Sequence, residues 1–322
     1  MEKQKIVLSS THIDSHGMMM TKEALENGAK MINSGRSLRM GLEHDMSFPP
    51  LGRIADAEVI KSNDGSYYLV AYQEYFDKQQ QAILEDGTVL YRESFVSGGK
   101  PFIESIVEPV DKVEIKTDPI NFENQKSLDD FFEEIRIDSD LEFDKELLIR
   151  KSELPDPEII IKLSSIIAVS IVIIKTKVVE KLGEAIGEDI AKFYIFLRSS
   201  VVGMVKRAIP KNRPITFIIE AHDEIIVELI IKSNNPDEVV NAFTLDCLKE
   251  IQDKIETSKN IFGAEKIQFS FGEKNTWELN YMLTKDGAVI GTKKAFDRRD
   301  EAFSEFLNKM LEKDNNDTSG SR

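Results

Sequence analysis

The chain has 322 residues, with 57 acidic side chains against 42 basic ones, a net charge of −15 and a pI near 4.9. That balance excludes a duplex-DNA binder working through a broad basic face, because such binding draws on counterions released by lysine and arginine; no nucleic-acid partner is expected. A hydrophobic content of 41% suits a folded globular chain of two domains, while one cysteine, Cys247, and four histidines exclude a disulfide framework and a cysteine-built zinc cage, so no metal or cofactor is expected.

The N-terminus lacks the long apolar stretch of a secretory signal and runs into polar Ser9, Ser10 and Thr11. With the single cysteine, this predicts a cytoplasmic protein. Short alternating runs at 6–8, 38–44, 57–60, 67–72, 89–96 and 113–116 predict strands, with turns at Asn63-Asp64-Gly65 and Asp86-Gly87. Thr21 ahead of Glu23, Ala24 and Leu25 predicts a capped amphipathic helix, and a second helix is predicted over 75–84. Residues 1–122 therefore read as a β-rich domain with inserted helices. From 123 to 158 there are 13 acids and 5 bases, more than half of the chain's net charge. Phe131-Phe132 and Leu147-Leu148 among those acids predict a partly helical linker with a solvated face.

Segment 159–174 reads IIIKLSSIIAVSIVII. It is shorter than the roughly 20 apolar residues of a membrane span, and Lys162 and three serines interrupt it. It is read as a buried helix or strand pair rather than a membrane contact. Beyond it come a predicted helix at 178–207, a hairpin at 215–220 and 225–231, and a helix at 236–256. Strands at 267–271, 277–282 and 288–291 and a helix at 297–311 follow. Two strand-strand-helix runs make 159–313 an α+β domain, and 314–322 should be a disordered tail. The whole chain is thus expected to be α+β.

Three blocks of the first domain carry residue types suited to chemistry. The first is Ile13-Asp14-Ser15-His16-Gly17 with the Thr21 helix. The second runs from Leu38 through Glu43-His44-Asp45 to Pro50-Leu51-Gly52-Arg53. The third holds Arg92-Glu93-Ser94-Phe95 and Ser97-Gly98-Gly99, and leads to Lys112-Val113-Glu114-Ile115-Lys116. On a strand, Leu38, Met40, Leu42 and His44 share one face. An imidazole there is either a satisfied core histidine or a general base held near neutrality by partial burial. Ser94 stands at a strand end beside a glycine-rich backbone that could offer amide donors to an oxyanion. Strand alternation puts Ser97 on the opposite side from Ser94, so one of the two can meet His44. His12 and His16 are four apart, but strand and turn context separates them as metal ligands. His222 falls at the presumed hairpin turn, where polar residues are ordinary.

Together the blocks resemble the prohead proteases of tailed phages, capsid-maturation serine peptidases related in fold to the herpesvirus assemblins. The family's opening V-D-S-x-G-D pattern is matched by residues 13–17, its histidine-aspartate pair and proline-glycine turn by His44-Asp45 and 50–53. Its serine strand falls on Ser94, fifty positions after His44, and its closing E-V-S-x-V-T-x-P-A-N strand is echoed at 112–121. The resemblance covers residues 5–122. It implies an assemblin-like β-barrel with His44 as general base and Ser94 as nucleophile, Ser97 being the rival nucleophile. It also implies a protein substrate, whether a scaffold, a capsid-like protein or the chain itself, and a homo-oligomer. The family's closing-strand acid falls on Lys112, so Glu114, two residues on and on the same strand face, is the expected third member, with Asp111 and Glu104 as further options. The alternative is a catalytically degenerate assemblin-like module for binding or assembly, prophage-derived or serving defence, with a C-terminal sensor or oligomerisation domain.

Overall fold

The computed structural model of the chain describes residues 4–13, 19–42, 45–84, 87–148, 156–173, 176–272 and 274–319. It is a mixed α+β protein whose contacts divide it into two compact units. One is discontinuous, Met1–Glu104 with Asp286–Arg322; the other is continuous, Ser105–Lys285. The chain leaves the first unit, builds the second, and returns.

The discontinuous unit opens with β1 (Gln4–Ser10), α1 (Lys22–Ile32), β2 (Leu38–Met40), β3 (Gly52–Lys61) and β4 (Tyr67–Tyr75). Thr21 caps α1 as its sequence predicts, its side chain accepting from the Ala24 N–H at 3.1 Å. The four strands pair antiparallel in the order β1-β4-β3-β2, an open sheet in place of the expected barrel. Leu25 and Ile32, two turns apart on α1, pack with Met40, Leu51, Ile54 and Leu69 in one core. Gly52 has no alternative: a Cβ there would lie 2.0 Å from the Glu74 carbonyl oxygen across the β3–β4 pair. A bulge between Ala55 and Glu58 bends β3 and puts Asp56 at φ 52°. Asn33 secures that bulge, donating to Ala57 O at 2.7 Å and accepting from Ala57 N at 2.9 Å.

The chain then forms β5 (Lys78–Ile83) and β6 (Val89–Ser94), an antiparallel hairpin. Residues 75–84 are therefore not the expected helix. The Gln79–Gln81 run has helical propensity, but cross-strand bonds from Gln79 to Glu93 and Gln81 to Tyr91 override it.

In the continuous unit, β7 (Val113–Thr117) is followed by α2 (Gln125–Ser139), β8 (Phe143–Leu147) and β9 (Glu158–Lys162). The described part of the acidic stretch, 123–148 and 156–158, is thus built into this unit as α2, β8 and the start of β9 rather than serving as a linker. Leu128, Phe131, Phe132 and Ile135 form the buried stripe of α2, and β8 pairs parallel to β7. Segment 159–174 supplies most of β9, then α3 (Ser165–Ile167) and a π-helical stretch (Ala168–Ile173), with Ile159, Ile161, Ile167 and Ile171 buried. Among the described residues no helix is long and apolar enough to cross a membrane. The unit continues through α4 (Thr176–Arg207), β10 (Ile215–His222), β11 (Ile226–Ser233), α5 (Pro236–Ala242), α6 (Leu245–Phe262), β12 (Ala264–Phe271) and β13 (Trp277–Thr284). The helix expected over 236–256 is two, broken at Phe243-Thr244, where Thr244 adopts the extended backbone of an N-cap.

The chain returns as β14 (Val289–Thr292), which pairs antiparallel with β6, and α7 (Lys293–Ser319), which extends into the expected tail as far as Ser319. Phe303 of α7 packs on the core of the discontinuous unit. The second strand-strand-helix run is therefore shared out: its first two strands belong to one unit, β14 and α7 to the other.

Candidate active site

Two of the three sequence blocks meet in the discontinuous unit, and a residue from outside all three joins them. Arg299 of α7 is almost wholly buried, and its Nη1 donates both to Pro50 O at 2.8 Å and to Glu93 Oε2 at 2.7 Å. Its Nη2 reaches Glu93 Oε1 at 3.2 Å, completing a bidentate pair. Burial opposes the charge on Arg299, but Glu93 and Asp300 outweigh it and raise its pKa above the usual arginine value. Beside it Arg298 donates to Ser47 O at 2.7 Å and lies 5.2 Å from the Phe48 ring centre. The loop after His44 is thus fastened to the residue before Ser94.

Three further links tighten this meeting. Phe76 N–H donates to Leu51 O at 3.2 Å, and Asp77 N–H donates to Ser94 O at 3.3 Å. Arg53 lies 4.1 Å over the Phe95 ring while pairing with Glu74 at 2.6 Å.

Ser94 is half-buried and is the last residue of β6. The chain then turns at Phe95–Gly98, closed by Gly98 N–H to Phe95 O at 3.0 Å with Gly98 at φ 86°. Ser97 sits exposed in that turn, so strand alternation does not decide between the two serines. The amides expected for an oxyanion are partly engaged, because Val96 N–H already donates to Asp77 Oδ1 at 2.7 Å. His44 lies outside the described residues, as do Asp14 to Met18 of the first block. The strand leading to His44 ends at Met40, sooner than expected.

Glu114 is on β7, in the continuous unit, where its carboxylate lies 3.7 Å from Lys116 Nζ. Asp111 belongs to that unit as well. Glu104 alone of the three considered acids is in the unit that holds Ser94. It stands 3.8 Å from the Nε of Arg39, a β2 residue, and its Oε2 is buried without a hydrogen-bond partner.

The continuous unit holds a second set of chemically capable residues, of which the sequence singled out Glu114 alone as a catalytic candidate. Pairing register places Asp144, Glu114, Lys162, Glu220, Glu228, Gln268 and Tyr281 in one row across β8-β7-β9-β10-β11-β12-β13. Within it Glu228 pairs with Lys266 at 2.5 Å, both nearly inaccessible, and accepts from Gln268 Nε2 at 2.8 Å. His222 is no turn residue. It ends β10, buried, with Nδ1 accepting from Glu108 N–H at 3.3 Å and Nε2 lying 3.2 Å from Glu220 Oε2. An accepting Nδ1 puts the ring proton on Nε2, facing the carboxylate. Burial works against the Glu220 charge, but the His222 bond, Lys266 and Lys116 prevail and hold its carboxyl below the usual range.

A signal for both clusters was present in the sequence. Arg299 occupies the apolar stripe of α7, three residues after Phe296 and four before Phe303, where a solvated arginine does not belong. Glu228 alternates with Ile226 and Ile230 on one strand face. Among the described residues, no group of three or more His, Cys, Asp or Glu side chains is arranged to hold a metal.

Comparison with known proteins finds no family model, no curated protein and no solved structure that matches this chain.

Proposed function

We propose that the discontinuous unit is a serine peptidase that cuts a protein substrate in the cytoplasm as a homo-oligomer, with Ser94 as nucleophile and His44 as general base. The carrying observation is the clamp: buried Arg299 fastens Pro50, six residues after His44, to Glu93, the neighbour of Ser94. Two segments, 43 positions apart at the clamped residues, are thereby held together, as a nucleophile and its base require. In this reading His44 takes the Ser94 hydroxyl proton as Oγ bonds to the substrate carbonyl carbon. The proton passes to the leaving amine, and water then frees the acyl group. Acid-base assistance of this kind contributes about 10²–10⁴ in rate. Glu104 replaces Glu114 as the acid best situated to orient the base, since it shares the unit of Ser94.

The pairing of Glu114 with Lys116 in the other unit favours a second reading, a catalytically degenerate module that binds without cutting. Labelling with a serine-directed fluorophosphonate separates the two. Wild type and Ser97→Ala should label, while Ser94→Ala and His44→Ala should not. Equal labelling of Ser94→Ala and wild type would remove Ser94 as nucleophile.

A further inference from the structure

The β5–β6 ladder ends at Ser94, whose register partner is Lys78, the first residue of β5. Beyond Ser94 the chain leaves the ladder and turns at Phe95–Gly98. The two residues that precede β5, Phe76 and Asp77, take over from strand pairing there. Asp77 N–H donates to Ser94 O at 3.3 Å, and Asp77 Oδ1 accepts from Val96 N–H at 2.7 Å, the short contact of a charge-assisted bond. The Phe76 ring lies 4.8 Å from the ring of Phe95, and Phe76 N–H reaches Leu51 O at 3.2 Å. Two consecutive residues thus grip three consecutive ones, Ser94, Phe95 and Val96, and all of them belong to the discontinuous unit.

Each peptide group is a rigid plate, so the chain bends only at the torsions between plates. The plate joining Ser94 to Phe95 carries Ser94 O, and the plate joining Phe95 to Val96 carries Val96 N–H. Asp77 is bonded to both. With β6 pairing holding one side of Ser94 and the first of these plates the other, the direction of the Ser94 Cα–Cβ bond is set. A reacting group gains from such fixing, since a displacement of about 1 Å can cost about 10²-fold in rate. Asp77 itself is exposed, so its truncation opens no cavity in the core.

We propose that Asp77 is a positioning residue for Ser94, holding the two peptide groups that follow the serine so that its Oγ keeps one direction toward the substrate carbonyl. This role rests on the serine-peptidase reading, and the two can fail separately.

The full chain is labelled with a fluorophosphonate over a range of probe concentrations, which separates the maximal labelling rate from the half-saturating concentration. Exchange of the Val96 amide hydrogen is followed in the same variants. Asp77→Ala should lower the maximal rate about tenfold or more and leave the half-saturating concentration unchanged. It should also speed Val96 exchange. Asp77→Asn, whose amide oxygen can still accept from Val96 N–H, should keep most of the rate and the protection. Asp64→Ala is the control for a merely structural loss. Asp64 is also exposed and also accepts a backbone N–H in a turn, from Ser66 at 2.9 Å, and its removal should leave labelling unchanged. Three results overturn the positioning role: Asp77→Ala labelling as fast as wild type or faster, Asp77→Asn as slow as Asp77→Ala, or an equal loss in Asp64→Ala. Val96 exchange that Asp77→Ala leaves unchanged overturns it whether or not the protein labels. Ser94-dependent labelling in any of these cases keeps the peptidase. Faster Val96 exchange in Asp77→Ala, with no Ser94-dependent labelling of wild type, keeps the hold on the Ser94 backbone and removes the peptidase.

Discussion

The two units each bury a complete ion pair, and they build it in opposite ways. In the continuous unit Lys266 and Glu228 stand on neighbouring strands, brought together by the same register that aligns the whole polar row. In the discontinuous unit Arg299 and Glu93 are 206 positions apart, and the arginine also holds a loop carbonyl that no strand pairing reaches. The first pair is a by-product of sheet geometry. The second is the buried charged joint among several weaker links between those segments, so its loss should be felt in the site as well as in the fold.

Truncating either pair tests that difference, and the effects should be the largest the molecule shows. Arg299→Met and Lys266→Met each leave a buried carboxylate without its cation, which should lower stability by about 3–5 kcal/mol in chemical denaturation. Removing the partner charge then separates them. In Lys266→Met/Glu228→Gln the new amide oxygen can still accept from Gln268, and most of the loss should return. In Arg299→Met/Glu93→Gln the Pro50 carbonyl still lacks its donor, and the loss should persist. Full recovery in both double variants would dissolve the distinction.

A smaller effect sharpens the electrostatic side. The Glu220 carboxyl is held below its ordinary value, so its contribution to stability is complete above about pH 4.3, the unperturbed value. It is lost as pH falls through the lower folded value. Glu220→Gln should therefore be destabilised relative to wild type at pH 7, and the gap should close on acidification. A gap that is constant from pH 7 to pH 3 contradicts the assignment. Smallest of all, Thr21→Ala removes the side-chain cap of α1 and should cost about 1 kcal/mol, with no influence on the polar row of the other unit.

Local chemistry made much of this fold legible. The Thr21 cap, the long helix from Thr176 to Arg207 and the β10–β11 hairpin follow from spacing and turn residues alone. What escaped was decided by distant partners. Gln79–Gln81 became a strand because β6 was there to pair with it. The acids of 123–158 hid the stripe of Leu128, Phe131, Phe132 and Ile135, since net charge says nothing about which face a charge occupies. For the site, residue type and spacing singled out Ser94 and the loop following His44, which the structure fastens together. Arg299 lay outside the motifs, marked only as a cation in the apolar stripe of α7, and Glu114 was favoured by strand parity, which cannot tell which unit a strand joins.

The return of the chain also imposes an order in time. A ribosome making roughly 5–20 residues per second reaches Arg299 roughly 10–40 s after Glu104. Until then Pro50 and Glu93 lack the guanidinium that joins them, and Tyr75 lacks the Phe303 ring at 6.1 Å. The nascent first hundred residues are thus a structure waiting for its keystone. Residues 1–104 therefore gain the Arg299 contacts only after the continuous unit that lies between them in sequence has been made.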